Sequence, residues 1–107
     1  MQERTDARRT FGHVVRFKAP VEKLQGIGMQ GFRDRVAPAL QELSGLRGTL
    51  ILLDGTGGEL LGITFWDTEE HARAADARLE PERQTGVHEM GAASAPGILY
   101  EVLVQTT

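Results

Sequence analysis

Residues 46–66 read LRGTLILLDGTGGELLGITFW, and this stretch decides the fold. Residues 46–54 and 59–66 are rich in leucine and isoleucine. Between them stands Gly55-Thr56-Gly57-Gly58, where several glycines can take the positive φ of a tight turn. The pattern predicts a hairpin of two strands. Neither strand alternates apolar and polar. Leu50 and Leu52 point one way, Ile51 and Leu53 the other; Leu61, Ile63 and Phe65 oppose Leu60 and Trp66. Both faces of the hairpin are therefore apolar.

Upstream, residues 11–18 (FGHVVRFK) are β-branched and aromatic, which predicts a strand ending at Ala19-Pro20. Residues 21–31 are ambiguous, because Gly26, Gly28 and Gly31 weaken a helix. From Phe32 the period becomes helical: Phe32, Val36, Leu40 and Leu43 share one face. Pro38 should kink this helix, and Ser44-Gly45 should end it. Downstream, Asp67-Thr68-Glu69-Glu70 predicts a helix start, with Asp67 as cap and Glu70 reaching back to it. That helix is expected to stop at Leu79 or Glu80, before Pro81. Residues 82–97 read as turn-rich, and residues 98–105 (ILYEVLVQ) as a last strand. The order β-α-β-β-α-β is the ferredoxin-like α+β pattern: a four-stranded antiparallel sheet with two helices on one face.

Two helices cover one face only, and the other is too apolar to leave in water. Residues 82–97 are short and mostly small or polar, so a second copy is the better cover. A homodimer is expected. The 107 residues make one domain, residues 11–107, behind a flexible tail at 1–10. With 12 basic and 15 acidic residues the net charge is -3, which gives no reason to expect nucleic acid or an acidic membrane surface as partner. Residues 50–53 are too short an apolar run to span a bilayer. The charged N-terminus has no apolar core of a signal peptide, so a cytoplasmic location is expected. Cysteine is absent, which removes disulfides, thiolate metal sites and a cysteine nucleophile.

Several motifs resemble the antibiotic biosynthesis monooxygenase (ABM-like) family. They are Pro38-Ala39-Leu40, Ser44-Gly45-Leu46-Arg47-Gly48, Leu52-Leu53-Asp54, residues 64–70 (TFWDTEE) and Leu99-Tyr100-Glu101-Val102. The resemblance spans about residues 11 to 105. It implies a dimeric α+β barrel, with two sheets face to face. It also implies a cofactor-independent monooxygenase of a small aromatic or polyketide-like substrate, or a non-catalytic dimeric accessory protein that binds a small apolar ligand. The family's haem-degrading and quinone-forming members use a first-strand asparagine and a third-strand tryptophan. Trp66 matches the tryptophan, but the chain contains no asparagine. His71 lies earlier on its helix than the family's haem ligand. Haem degradation is therefore not expected, nor is any cofactor or metal.

The candidate catalytic residues are His13 and Arg16. Three apart on a strand, they face opposite sides of the sheet. His13 is a general base near neutral pH or a strand-start histidine. Arg16 is an anion anchor or an ion-pair partner of Glu101 or another carboxylate at the dimer interface. The candidate ligand-binding residues are Trp66 and Tyr100. A buried indole packs the core and seeks a partner for its N–H, or it stacks a ligand. Any pocket is expected on the helix side, with Trp66 as one wall and the glycine-rich helix entry as its gate. His71 reads as a surface residue, and the His88-Glu89 pair does not make a metal site, since nothing supplies further ligands at recognisable spacing.

Overall fold

The computed structural model describes residues 9–106 and, ahead of them, the backbone of Glu3–Arg4. The tail expected at residues 1–10 falls largely outside the described residues. The strands are β1 (Glu3–Arg4), β2 (Phe11–Lys18), β3 (Leu46–Asp54), β4 (Glu59–Trp66), β5 (Ala93–Glu101) and β6 (Gln105–Thr106). One helix occupies residues 21–41 and a second Glu69–Met90. Strands β2 to β5 form one antiparallel sheet in the order β3-β4-β2-β5, while β1 pairs with β6 apart from it. This is the ferredoxin-like α+β arrangement.

The hairpin and β2 lie where the sequence pattern puts them. The helices differ from expectation. The first starts at Val21, and its glycines do not interrupt it. Two wide π-helical stretches, Leu24–Gly28 and Phe32–Val36, alternate with α-helical ones. Two of the glycines answer close approaches, whereas Gly26 faces open space. A Cβ on Gly28 would stand 2.6 Å from the Met90 sulfur, and one on Gly31 would stand 2.6 Å from Nη2 of Arg35. The second wide turn ends just before Pro38. A ring without an N–H fits there with less clash against the carbonyl one turn back.

The second helix also runs on, through Pro81 to Met90. Its cap is Thr68, not Asp67: Oγ1 accepts from the His71 backbone N–H at 3.0 Å. Proline removes one backbone donor. Around the gap Arg83 donates to the Asp76 carbonyl at 3.4 Å, and the Thr85 hydroxyl donates to the Pro81 carbonyl at 3.1 Å. Gly91, at φ 62°, closes the helix in the left-handed conformation. The expected turn region is thus helix and strand. The last strand begins at Ala93 and ends at Glu101, not at residues 98 and 105. Its early residues evade sequence reading because Pro96 and Gly97 sit in a bulge, where register shifts between Val14 and Arg16. As an edge strand, β5 tolerates the proline.

Two buried clusters join helices to sheet. One holds Phe11, Ala39, Leu40, Trp66, Ala72, Ala75 and Leu79. The other holds Leu24, Leu60 and Met90. Among the described residues, the opposite face is left largely uncovered. Pairing sets Leu50 beside Ile63, Leu52 beside Leu61, Val14 beside Ile98 and Gly12 beside Tyr100. Leu50, Leu52, Ile98 and Tyr100 are each about half exposed. Residues 82–97 do not cover them. Among the described residues, no helix is long and apolar enough to cross a membrane.

Leu24 is fully buried in a wide helical turn, whereas Leu103 is 85% exposed. Leu24→Ala should cost about 2–5 kcal/mol in chemical denaturation, and Leu103→Ala under about 0.5 kcal/mol. Equal costs would contradict the packing described.

Candidate functional site

Alternation along β2 turns Phe11, His13, Val15 and Phe17 towards the helices. Above His13, Val15 and Phe17 the helices leave a cavity of about 110 Å³. Its walls are mainly apolar, with Phe32, Ile51, Leu79 and Met90 among them. An apolar cavity of roughly 150 Å³ takes one benzene ring. This one is smaller but open on one side, so a single substituted ring fits only by reaching out through that side or by parting the helices.

Its polar groups are few. His13, Thr64 and Thr49 form one row across three strands, since His13 pairs with Thr64 and Thr64 with Thr49. Arg35, Glu82 and Arg83 come from the helices. His13 is only 8% exposed, and its Nε2 lies 3.3 Å from Oδ1 of Asp76. Arg83 binds the same carboxylate oxygen at 2.5 Å and also pairs with Glu80. The β5 bulge makes room for the ring. A Cβ on Gly97 would fall far inside contact distance of His13 Cε1 and Nε2. Bulges of this kind often aim a side chain beside a functional site.

Burial pulls the His13 pKa below the ordinary histidine value, Asp76 works against that shift, and Arg83 adds to it. The imidazole is therefore neutral at neutral pH. The carboxylate beside Nε2 favours the proton on that nitrogen, which leaves the lone pair on Nδ1. Such a ring is a competent base in an apolar wall.

Of the four residues singled out in the sequence, His13 alone lines the cavity. Arg16 faces the other side of the sheet, half exposed, and pairs with Glu59 at 3.5 Å, not with Glu101. Glu101 is held by Arg9 instead. Tyr100 also lies on the outer face, in register with Gly12. Trp66 is fully buried in the core cluster and is not a cavity wall. Its Nε1–H donates to Oγ1 of Thr64 at 2.8 Å. His71 is not a free surface group. Its Nδ1 meets Asp67 Oδ1 at 2.7 Å over Gly45, which holds the Asp67 carboxyl below the usual carboxylate range. Sequence reading missed Arg83 because the helix was expected to end at Pro81, and Asp76 because nothing in the sequence links it to His13. It missed Thr49 and Thr64 because only strand register aligns them with His13.

Solved structures can be compared with this arrangement. SnoaB, a cofactor-independent oxygenase from Streptomyces nogalater, superposes with a TM-score of 0.64 at 20% identity, over 92% of this chain and 96% of its own. The ActVA-Orf6 monooxygenase of Streptomyces coelicolor, solved with nanaomycin D, gives 0.63 at 18%, over 95% and 90%. The chain has the ABM fold. A dimeric ferredoxin-like protein from an uncultured marine organism shares that fold, at a TM-score of 0.64 and 11% identity over 92% of this chain and 99% of its own. At these identities the likeness extends to the ABM fold alone. No family model matches the sequence. Two uncharacterised proteins of Mycobacterium tuberculosis, from strains CDC 1551 and H37Rv, are 40% identical over 57 residues. That match covers 53% of this chain and 24% of each relative, so it spans about a quarter of their length.

The depressed His13 pKa makes a stability prediction. On acidification the unfolded chain takes up this proton before the folded one does. The contribution is complete above the unfolded value of about 6.5 and is lost as the pH falls through it towards the folded pKa. The melting temperature should drop between about pH 7.5 and about pH 5.5, and less in His13→Gln than in the native chain. Identical slopes by calorimetry would contradict the assignment.

Proposed function

We propose that this chain is a cofactor-independent monooxygenase of a small hydroxyaromatic substrate, working as a homodimer. One observation carries the reading: a neutral histidine, flanked by Asp76 and Arg83, opens onto a small apolar cavity between sheet and helices. The neighbours in fold include a cofactor-independent oxygenase and a monooxygenase, which agrees with it.

His13 takes the phenolic proton, and the electron-rich anion that results reduces dioxygen. One oxygen atom ends on a ring carbon as a carbonyl. The other leaves as water with the two hydrogens lost from the substrate's O–H and ring C–H. The substrate supplies all the electrons, so the stoichiometry needs no further reductant. Asp76, 3.3 Å from Nε2, offsets the positive charge that develops on His13. The apolar walls keep water from the anion. Oxygen uptake with single-ring hydroquinones, followed by electrode, should fall about 10²–10⁴-fold in His13→Gln. Unchanged uptake would remove His13 from the mechanism.

A second reading is a non-catalytic module that binds a small apolar ligand. The modest cavity favours it, and absence of oxygen uptake with every single-ring phenol would select it. In either case the bare outer face supports a homodimer. A stable interface buries roughly 800 Å² per partner, and the apolar stripe from Leu50 and Leu52 to Ile98 and Tyr100 offers a self-complementary surface. Light scattering should give about twice the mass of one chain, and Leu50→Lys with Ile98→Glu should halve it. A native monomer would sink the proposal.

A further inference from the structure

Thr64 occupies an unusual position among the cavity's polar groups. Its oxygen accepts the Trp66 Nε1–H at 2.8 Å, inside the core. Among the described residues its own hydroxyl hydrogen has no protein acceptor. A hydroxyl with one lone pair engaged acts as a donor towards whatever remains open to it. Here that is the cavity floor, between His13 on β2 and Thr49 on β3. Donation from the indole also polarises the hydroxyl and strengthens it as a donor.

The neighbouring cations are largely engaged, although Nε of Arg35 is buried without a hydrogen-bond acceptor among the described residues. Arg83 is taken by Asp76 and Glu80, and Arg35 by Glu89 at 2.7 Å. Glu82 approaches both Arg35, at 3.6 Å, and Arg78, at 3.9 Å. Four carboxylates thus face three guanidiniums, and the site has no surplus positive charge for an anionic ligand. A neutral ligand with one acceptor oxygen fits better than a carboxylate, and the cavity volume restricts it to one ring.

We infer that Thr64 is the hydrogen-bond donor to the ligand's oxygen, that Trp66 is the positioning residue that orients it, and that the ligand is a neutral single-ring phenol or ring ketone. The inference builds on the reading of this cavity as the ligand site and deepens it. Once His13 takes the phenolic proton, the Thr64 hydroxyl faces the new anion, where the bond is stronger than to the neutral oxygen. Trp66 then acts on the ligand through Thr64 without touching it.

The probe is 4-nitrophenol, whose absorbance separates phenol from phenolate. The native chain should bind it and shift it towards the phenolate form. Thr64→Val should weaken binding about tenfold or more, because an oxygen loses its donor in an apolar wall. Thr64→Ser should stay within about threefold. Toluene, which has no acceptor, should bind the native chain and Thr64→Val equally by NMR titration. Benzoate should not compete. Trp66→Phe should lower the ionised fraction of bound probe while unfolding stays cooperative; a purely packing role would leave that fraction unchanged. The inference is overturned if the native chain does not bind 4-nitrophenol, if Thr64→Val binds it as well as the native chain, or if benzoate displaces it. Thr64-dependent binding without oxygen uptake from any single-ring hydroquinone would overturn the monooxygenase reading alone. Oxygen uptake indifferent to Thr64→Val would overturn this inference alone.

Discussion

Strand β2 is hydrogen-bonded along both edges, to β4 and to β5, and its register with them decides which side chains meet the helices. A slip of one residue would turn His13 out and bring Val14 and Arg16 in. The register is held by apolar side chains, not by the polar ones it places. Phe11 stands beside Trp66, and Phe17 beside Leu60, at the two ends of the β2–β4 pairing. Both pairs lie under helices, so a slip would expose aromatic surface worth roughly 1.5–3 kcal/mol per side chain. The buried histidine is the passenger of this packing. Its desolvation is tolerated because Asp76 and the space over Gly97 are already in place.

The fold was legible in the sequence because its governing signals are local and repeated. The glycine turn between two leucine-rich strands, the Phe32–Val36–Leu40 spacing and the double-sided apolar strands each point to one arrangement. The misread elements share a cause: tertiary contact overrode propensity. Gly28 and Gly31 weaken a helix in isolation, yet here they admit Met90 and Arg35. Pro81 is a stop signal in isolation, yet the helix continues because Met90 is buried beyond it. The site was legible only in part. His13 stood out as a polar group on a central strand. Asp76 is separated from it by more than sixty positions, and no periodicity links the two. Trp66 was noticed for its chemistry, but its role as a partner of Thr64 needs the hydrogen bond itself.

The two faces of the sheet divide the work. The inner face gives up some packing to keep a cavity, with small residues Gly62, Gly28, Gly31 and Gly86 among its walls. The outer face keeps large apolar side chains at about half exposure. A sheet built this way gains little from standing alone, because one whole layer of apolar surface is left unburied. The wide turns of the first helix belong to the same compromise. They let the helix arch over the cavity while Leu24 and Leu40 still anchor it in separate clusters.

The thioether of Met90 seals the far end of that arch against Gly28. Sulfur is the most easily oxidised atom in the wall, and conversion to the sulfoxide makes it larger and polar. The backbone of Gly28 already stands where even a methyl group would not fit beside it. One added oxygen would therefore have to push the first helix away from the second. Any reactive oxygen species released inside the cavity would thus loosen the packing of the two helices at this contact.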